Sequence, residues 1–237
     1  MARYAYFIDL SVCAGCESCT VACQNKNGLA PDLAYTKVHR YETGTFPQMK
    51  STFVVGQCLH CDDPACAQAC PTGATYKTAE GPVAVDYKQC IGCKYCMVAC
   101  PYDARVWDPE LNAARKCTEC ADRLAAGRRP ACVETCLTGA RIIGDVDDPK
   151  SPIHEAIKRP NTVQMAGTGF YFRLPPGIAA PAALPEAKGA GVVYAWQSVL
   201  QPLGQLLMGG AAAALLTSAV AFAVKSTKEG GADHGHD

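Results

Sequence analysis

Sixteen cysteines fall into four groups of four with none left over, and every fold open to this 237-residue chain must satisfy them. Group one is Cys13, Cys16, Cys19 and Cys23; group two is Cys58, Cys61, Cys66 and Cys70. Group three is Cys90, Cys93, Cys96 and Cys100; group four is Cys117, Cys120, Cys132 and Cys136. Disulfides do not suit this spacing. A bridge needs Cα atoms roughly 4.4 to 6.8 Å apart with converging Cβ vectors, and cysteines two residues apart would have to seek distant partners for all eight bridges.

Metal ligation suits it better. Zinc takes thiolates in C-x2-C pairs around one tetrahedral ion. Groups one and three instead run three cysteines at two-residue gaps and add a fourth after three more. That is the bacterial ferredoxin spacing, in which a tight loop supplies three ligands to an iron-sulfur cubane and the fourth cysteine reaches the other cluster of a pair. The surroundings repeat too: Cys70 opens CPTGA, Cys100 opens CPYDA and Cys136 opens CLTGA. Proline after the last cysteine turns the chain away, and Leu137 is expected to weaken that turn in group four. Short apolar runs at Tyr4 to Leu10, Thr52 to Val55, Val83 to Asp86 and Arg141 to Gly144 read as strands. Thr20 to Asn25 and Pro64 to Ala69 read as single helical turns. The fold class is α+β, with two bacterial-ferredoxin-like units.

Other chemistry is scarce. Lys plus Arg and Asp plus Glu balance at 22 each, which gives no basic surface for nucleic acid. There is no phosphate-binding lysine motif, dinucleotide glycine fingerprint or Ser/His/Asp arrangement, so no catalytic residue is assigned. His60 lies inside CLHC, where four thiolates already complete the group, and is read as a structural hydrogen-bonding residue. His39 and His154 sit in plain loop sequence, and His234 and His236 in a terminal tail. Arg123, Arg128 and Arg129 precede Cys132 and are either a solvated face or charges that raise a cluster's potential.

From Tyr4 to about Arg173 the chain resembles the four-cluster electron-transfer subunit that partners molybdopterin oxidoreductases of the dimethyl sulfoxide reductase type. The resemblance rests on CAGCESCTVAC, CLHCDDPACAQACPTGA, CIGCKYCMVACPYDAR and RKCTECADRLAAGRRPACVETCLTGA, with their unequal x4 and x11 gaps. The same subunit type serves formate dehydrogenases, polysulfide reductases and some nickel-iron hydrogenases. The resemblance implies exchanged ligands. Cys13, Cys16, Cys19 and Cys136 would hold one cluster, and Cys117, Cys120, Cys132 and Cys23 the next. Cys58, Cys61, Cys66 and Cys100 would hold a third, and Cys90, Cys93, Cys96 and Cys70 the fourth. Some relatives replace the second ligand of group three and carry a three-iron cluster there. Cys93 stands at that position, so four [4Fe-4S] clusters are expected. The implied partners are a molybdopterin-containing catalytic subunit and a quinone-reactive integral membrane subunit. The alternatives are the electron-transfer subunit of a membrane-bound hydrogenase and a free polyferredoxin carrier.

Beyond the cluster domain, residues 1–173, the composition changes. Residues 174–202 are a Pro/Ala/Gly-rich linker with Tyr194 and Trp196 as interfacial anchors. Residues 203–224 carry no charge and, at about 1.5 Å per residue, would reach about 33 Å as a helix, sufficient to cross a bilayer. Residues 225–237 form a polar tail. Lys188 before the span, against Lys225 and Lys228 after it, favours the outer, periplasmic face for the cluster domain by the positive-inside tendency, with the cytoplasmic face as the alternative. Met1 to Leu10 lacks a signal-peptide pattern, so export would depend on a partner's address.

Overall fold

The first apolar run becomes β1 (Tyr4–Asp9), five of whose six residues are buried. A strand alternates its side chains between two faces, so a run buried throughout must be covered on both. The computed structural model describes residues 3–178, all within one compact unit, Met1–Lys188, and supplies both covers. Tyr6 and Ile8 pack into the main core with Val54, Leu59, Val133, Phe170 and Phe172. Ala5 and Phe7 pack against Ile153 and Ala156 on the other face.

After β1 come α1 (Ser18–Asn27), β2 (Thr36–Thr43), β3 (Lys50–Gln57), α2 (Ala65–Gln68), β4 (Thr75–Lys77) and β5 (Val83–Val85). Then follow α3 (Tyr95–Val98), β6 (Arg105–Asp108), β7 (Ala113–Lys116), α4 (Ala121–Ala125) and α5 (Ala131–Glu134). The last are β8 (Arg141–Asp145), α6 (Ile153–Ile157), β9 (Thr162–Gln164) and β10 (Phe170–Arg173). One sheet has four strands in the order β8-β1-β10-β9. β1 runs antiparallel to β8, with Ile8 opposite Arg141, and parallel to β10, with Asp9 opposite Arg173. The ring of Tyr6 stacks on that of its register partner Phe170, centroids 4.8 Å apart. The other six strands pair as three antiparallel ribbons, β2–β3, β4–β5 and β6–β7.

α1 is longer than the single turn expected over Thr20 to Asn25. It runs ten residues and stops where Gly28 takes φ 56° and returns its N–H to the Gln24 carbonyl. α2, α3 and α5 are four-residue turns.

The backbone repeats as the sequence does. The third residue of the opening C-x2-C is left-handed in every group: Gly15 at φ 66°, His60 at 47°, Gly92 at 70° and Glu119 at 59°. At Gly15 a Cβ would run into the Phe53 ring, so glycine is favoured there by space as well as by φ. A second left-handed residue follows the final cysteine at the third position, as Gly73, Asp103 and Gly139. Its N–H returns to that cysteine's carbonyl at 3.3, 3.4 and 3.2 Å respectively. The turn at Leu137, expected to be the weaker, closes with the same hydrogen bond as the other two. The turn closes equally in all three groups because the left-handed residue makes it, not the proline.

The linker beyond Ile178, the span at 203–224 and the tail at 225–237 lie outside the described residues. Among the described residues no helix is long and apolar enough to cross a membrane.

Candidate functional site

The left-handed residues fold each cysteine loop back on itself, and short helices then carry the later cysteines of each group. Cys19 and Cys23 ride on α1, Cys132 on α5, Cys66 on α2 and Cys96 on α3. α1 packs against α5 and α2 against α3, which joins group one to group four and group two to group three.

The result is a set of thiol-lined spaces. One cavity is lined by Cys13, Cys16 and Cys19 together with Cys136. Another is lined by Cys90, Cys93 and Cys96 together with Cys70. Each takes three thiols from one group and one from its partner group. The remaining cysteines meet in the same way. Burial, and then the neighbouring thiolates of Cys58, Cys66 and Cys100, push Cys61 up to about 12. Burial, and then Cys132 and Cys120, push Cys23 up to about 12. Cys117 is raised well above the ordinary thiol value by burial and next by Cys58, so the groups of the two pairs adjoin at these two residues. Thiols massed in this way repel one another as thiolates and are stable only around positive charge.

Backbone and side-chain donors already point at the sulfurs. Glu119 N–H donates to Cys117 Sγ at 3.3 Å, and the N–H groups of Thr75 and Ala104 donate to Cys70 and Cys100 Sγ, each at 3.5 Å. Asn27 Nδ2 donates to Cys23 Sγ at 3.5 Å. At Cys16 the hydroxyl and N–H of Ser18 lower the thiol's pKa. Of the sixteen cysteines only Cys16 and Cys93 are exposed, one in each of the two cavities above.

Two buried arginines test whether an anionic group fits. Arg105 and Arg141 are 3% and 4% exposed. Nε and Nη2 of the first, and Nε and Nη1 of the second, have no hydrogen-bond partner. Uncompensated guanidinium nitrogens are costly inside a protein, and here they face sulfur. The donor set of thiolates and cations fits an anionic iron-sulfur group. Among the described residues no three His, Cys, Asp or Glu side chains converge as a single metal ion requires. The thiols ring spaces instead.

Comparison with known proteins agrees with this chemistry. A family model described as a 4Fe-4S dicluster domain matches residues 49–146, from before group two to beyond group four. The B-subunit of the tetrathionate reductase of Salmonella typhimurium is 48% identical over 153 residues, 64% of this chain and 61% of that protein. The B-subunit of the sulfite dehydrogenase of Allochromatium vinosum is 40% identical over 187 residues, 70% of this chain and 78% of that protein. The arsenate respiratory reductase iron-sulfur subunit of a Shewanella strain is 34% identical over 225 residues, 72% of this chain and 96% of that protein. The chain belongs to the iron-sulfur beta-subunit family of molybdopterin oxidoreductases. Iron-sulfur clusters are accordingly the cofactor class of its dicluster domain.

The geometry also sorts the residues around the cysteines of this beta-type chain. His60 is buried and accepts the Val83 N–H on Nδ1 at 3.0 Å, and burial followed by Lys116, Lys77 and Arg105 keeps it neutral. His154, in α6, is half-buried beside the Asp148 carbonyl, and His39 is exposed on β2, so neither lies in a loop as expected. Arg123 pairs with Glu134 and donates from Nε to the Arg129 carbonyl at 2.7 Å, while Arg128 stands 3.8 Å from Glu134 and Arg129 is exposed. That basic cluster is a surface network. Besides Lys116, whose charge acts on Cys117, the cations that face thiols are Arg105 and Arg141, and the signal for them is positional: each stands five residues after the last cysteine of its group.

Proposed function

We propose that this chain is the electron-transfer subunit of a molybdopterin oxidoreductase, relaying electrons between a molybdopterin catalytic subunit and a quinone-reactive membrane subunit through four [4Fe-4S] clusters. Bound there, the clusters supply one-electron storage and transfer. The observation that carries the reading is that the exposed cysteines, Cys16 and Cys93, line different cavities, while the thiols between those cavities are more enclosed. A relay needs two accessible ends and an insulated middle.

The ligand sets follow from the implied exchange and from the way the thiols gather. Cys13, Cys16, Cys19 and Cys136 hold the cluster nearest the catalytic subunit; Cys117, Cys120, Cys132 and Cys23 hold the next. Cys58, Cys61, Cys66 and Cys100 hold the third, with Cys58 beside Cys117 as the junction. Cys90, Cys93, Cys96 and Cys70 hold the cluster at the quinone end. Residues 203–224 anchor the domain, residues 1–173, to the outer face of the membrane.

Anaerobically purified protein is expected to be brown, with about sixteen irons and sixteen acid-labile sulfides per chain. Stoichiometric zinc without labile sulfide would falsify the iron-sulfur reading. Cys93→Ser should block electron exchange with quinone in the assembled complex while a dye still reacts at the catalytic subunit. Loss of the dye reaction instead would reverse the order of the relay.

A further inference from the structure

The two buried arginines occupy equivalent places. Arg105 follows Cys100 by five residues and Arg141 follows Cys136 by five, so each leaves the turn that closes a cysteine group and enters a strand, β6 or β8. Arg105 faces Cys66 and Cys96. Arg141 faces Cys132 and Cys19, with Nη2 donating to Cys132 Sγ at 3.3 Å. Those four residues are the third cysteines of groups two, three, four and one. Each guanidinium therefore acts electrostatically on both groups of its pair at the same position.

Each pair carries one such arginine. The residue corresponding to Arg105 in group two is Thr75, whose Oγ1 accepts from Arg105 Nη1 at 3.3 Å. The corresponding residue in group one is Gly28. In the pair of groups two and three the two equivalent positions meet, and the cation comes from one side. Apart from sulfur, Arg141 reaches the neutral Gln57 and Arg105 the neutral Thr75. Neither pairs with a carboxylate among the described residues. A buried cation without a carboxylate must be matched by other negative charge, and the thiolates are what lies within reach.

We infer that Arg105 and Arg141 are each the shared counter-charge of both cluster sites in their pair, holding two adjacent reduction potentials up together. The inference rests on the ligand sets proposed above. Net charge and hydrogen bonds to sulfur are levers that set cluster potentials, and one cation between two sites acts on both. It also lessens the repulsion between neighbouring anionic sites, so that neither becomes a deep barrier or trap for an electron in passage.

The test is a redox titration of the loaded full-length protein followed by electron paramagnetic resonance. Arg141→Gln should lower the two potentials of the group one and four sites by at least tenfold in the reduction equilibrium, 59 mV for a one-electron couple. Arg105→Gln should do the same to the other two sites. Lysine at either position, keeping the charge, should shift them less, and Arg128→Gln on the surface should shift none. Glutamine variants with full iron and unchanged potentials, or with all four potentials lowered alike, overturn the inference. Where a glutamine variant loads less iron, recovery in the lysine variant supports the charge role. Equal loss in both overturns it, since shape would then be what matters. Fewer than four cluster signals in the unchanged protein would instead overturn the fourfold ligand grouping, with the shifts still read on the sites present.

Discussion

The half of the molecule built from groups one and four and the half built from groups two and three repeat one cysteine pattern on very different supports. The first rests on the four-stranded sheet and the ten-residue α1, with Tyr6, Ile8, Phe170 and Phe172 buried beneath its thiols. The second rests on a ribbon of two three-residue strands and on helices of four residues, with no apolar cluster of comparable size among the described residues. A segment with so little apolar burial cannot offset the entropy of ordering its chain. Its fold must come from ligation. The second half is therefore expected to depend on its metal for structure more heavily than the first.

The largest effect expected from this contrast is on removal of the clusters. Anaerobic chelation of the full chain should abolish amide protection in β4, β5 and α3 while β1, β8 and β10 stay slow to exchange, as hydrogen-exchange mass spectrometry would read. Loss at one rate across both halves would sink the contrast. Next in size is a pair of core truncations in the loaded protein. Phe172 is 0% exposed, and Phe172→Ala should cost about 3–5 kcal/mol in a denaturant titration. Val83→Ala, at a residue 2% exposed in the other half, should cost about 2 kcal/mol. A larger cost at Val83 would mean that the ribbon is a core in its own right.

The same contrast explains what can be read from sequence. Cysteine spacing is local, so the loops are legible, while their pairing comes from the family resemblance; the apolar runs at Tyr4, Thr52, Val83 and Arg141 all become strands. β10 is not legible as the partner of β1, because Phe170 meets Tyr6 across more than 160 residues and nothing local announces a parallel pairing. β2 escapes notice because its outer half is exposed and TKVHRYET carries little apolar signal. The cations that matter are hidden for a similar reason. Arg123, Arg128 and Arg129 are conspicuous as a run, yet the loop before Pro130 is exposed, whereas Arg105 and Arg141 are single residues whose strands turn them inward.

A smaller effect concerns how the sheet is fastened to the first cysteine loop. Asp9, at the end of β1, is 1% exposed and accepts from Arg173 Nη1 at 3.0 Å, Arg159 Nη1 at 3.4 Å and the Ser11 N–H at 3.0 Å. Burial opposes its charge, but the Ser11 and Arg173 bonds outweigh that and hold its pKa below the usual carboxylate value. A carboxyl depressed on folding stabilises the native state above its unfolded pKa, about 3.9, and that share is lost as pH falls through the folded value. Asp9→Asn should therefore cost about 1–2 kcal/mol at pH 7 and progressively less in acid. Thermal unfolding of the chelated, cluster-free chain at pH 7 and pH 3 checks it, since acid would release the sulfide of a loaded one. An unchanged gap between the Asp9→Asn variant and the original protein at the two pH values would show that the carboxylate charge is not the fastening.

The smallest effect is at the rim of the better-supported half, where Leu137 stands 80% exposed in the position that Pro71 and Pro101 hold in the other half. All three turns close through the same left-handed residue, so the ring is not what makes them. The Leu137 N–H takes no part in the backbone hydrogen bonds of its turn, and replacing it removes no donor in use. Cys70 and Cys100 precede proline in the same turn, which shows that the conformation before the ring is accessible. Leu137→Pro should then leave iron content unchanged and stabilise by about 0.4–1 kcal/mol, because proline reduces the freedom of the unfolded chain. In a domain of this size that is a rise in Tm of about 1–4 °C. Any fall in Tm, or loss of iron from the site at Cys136, would mean that the two halves close their loops differently after all.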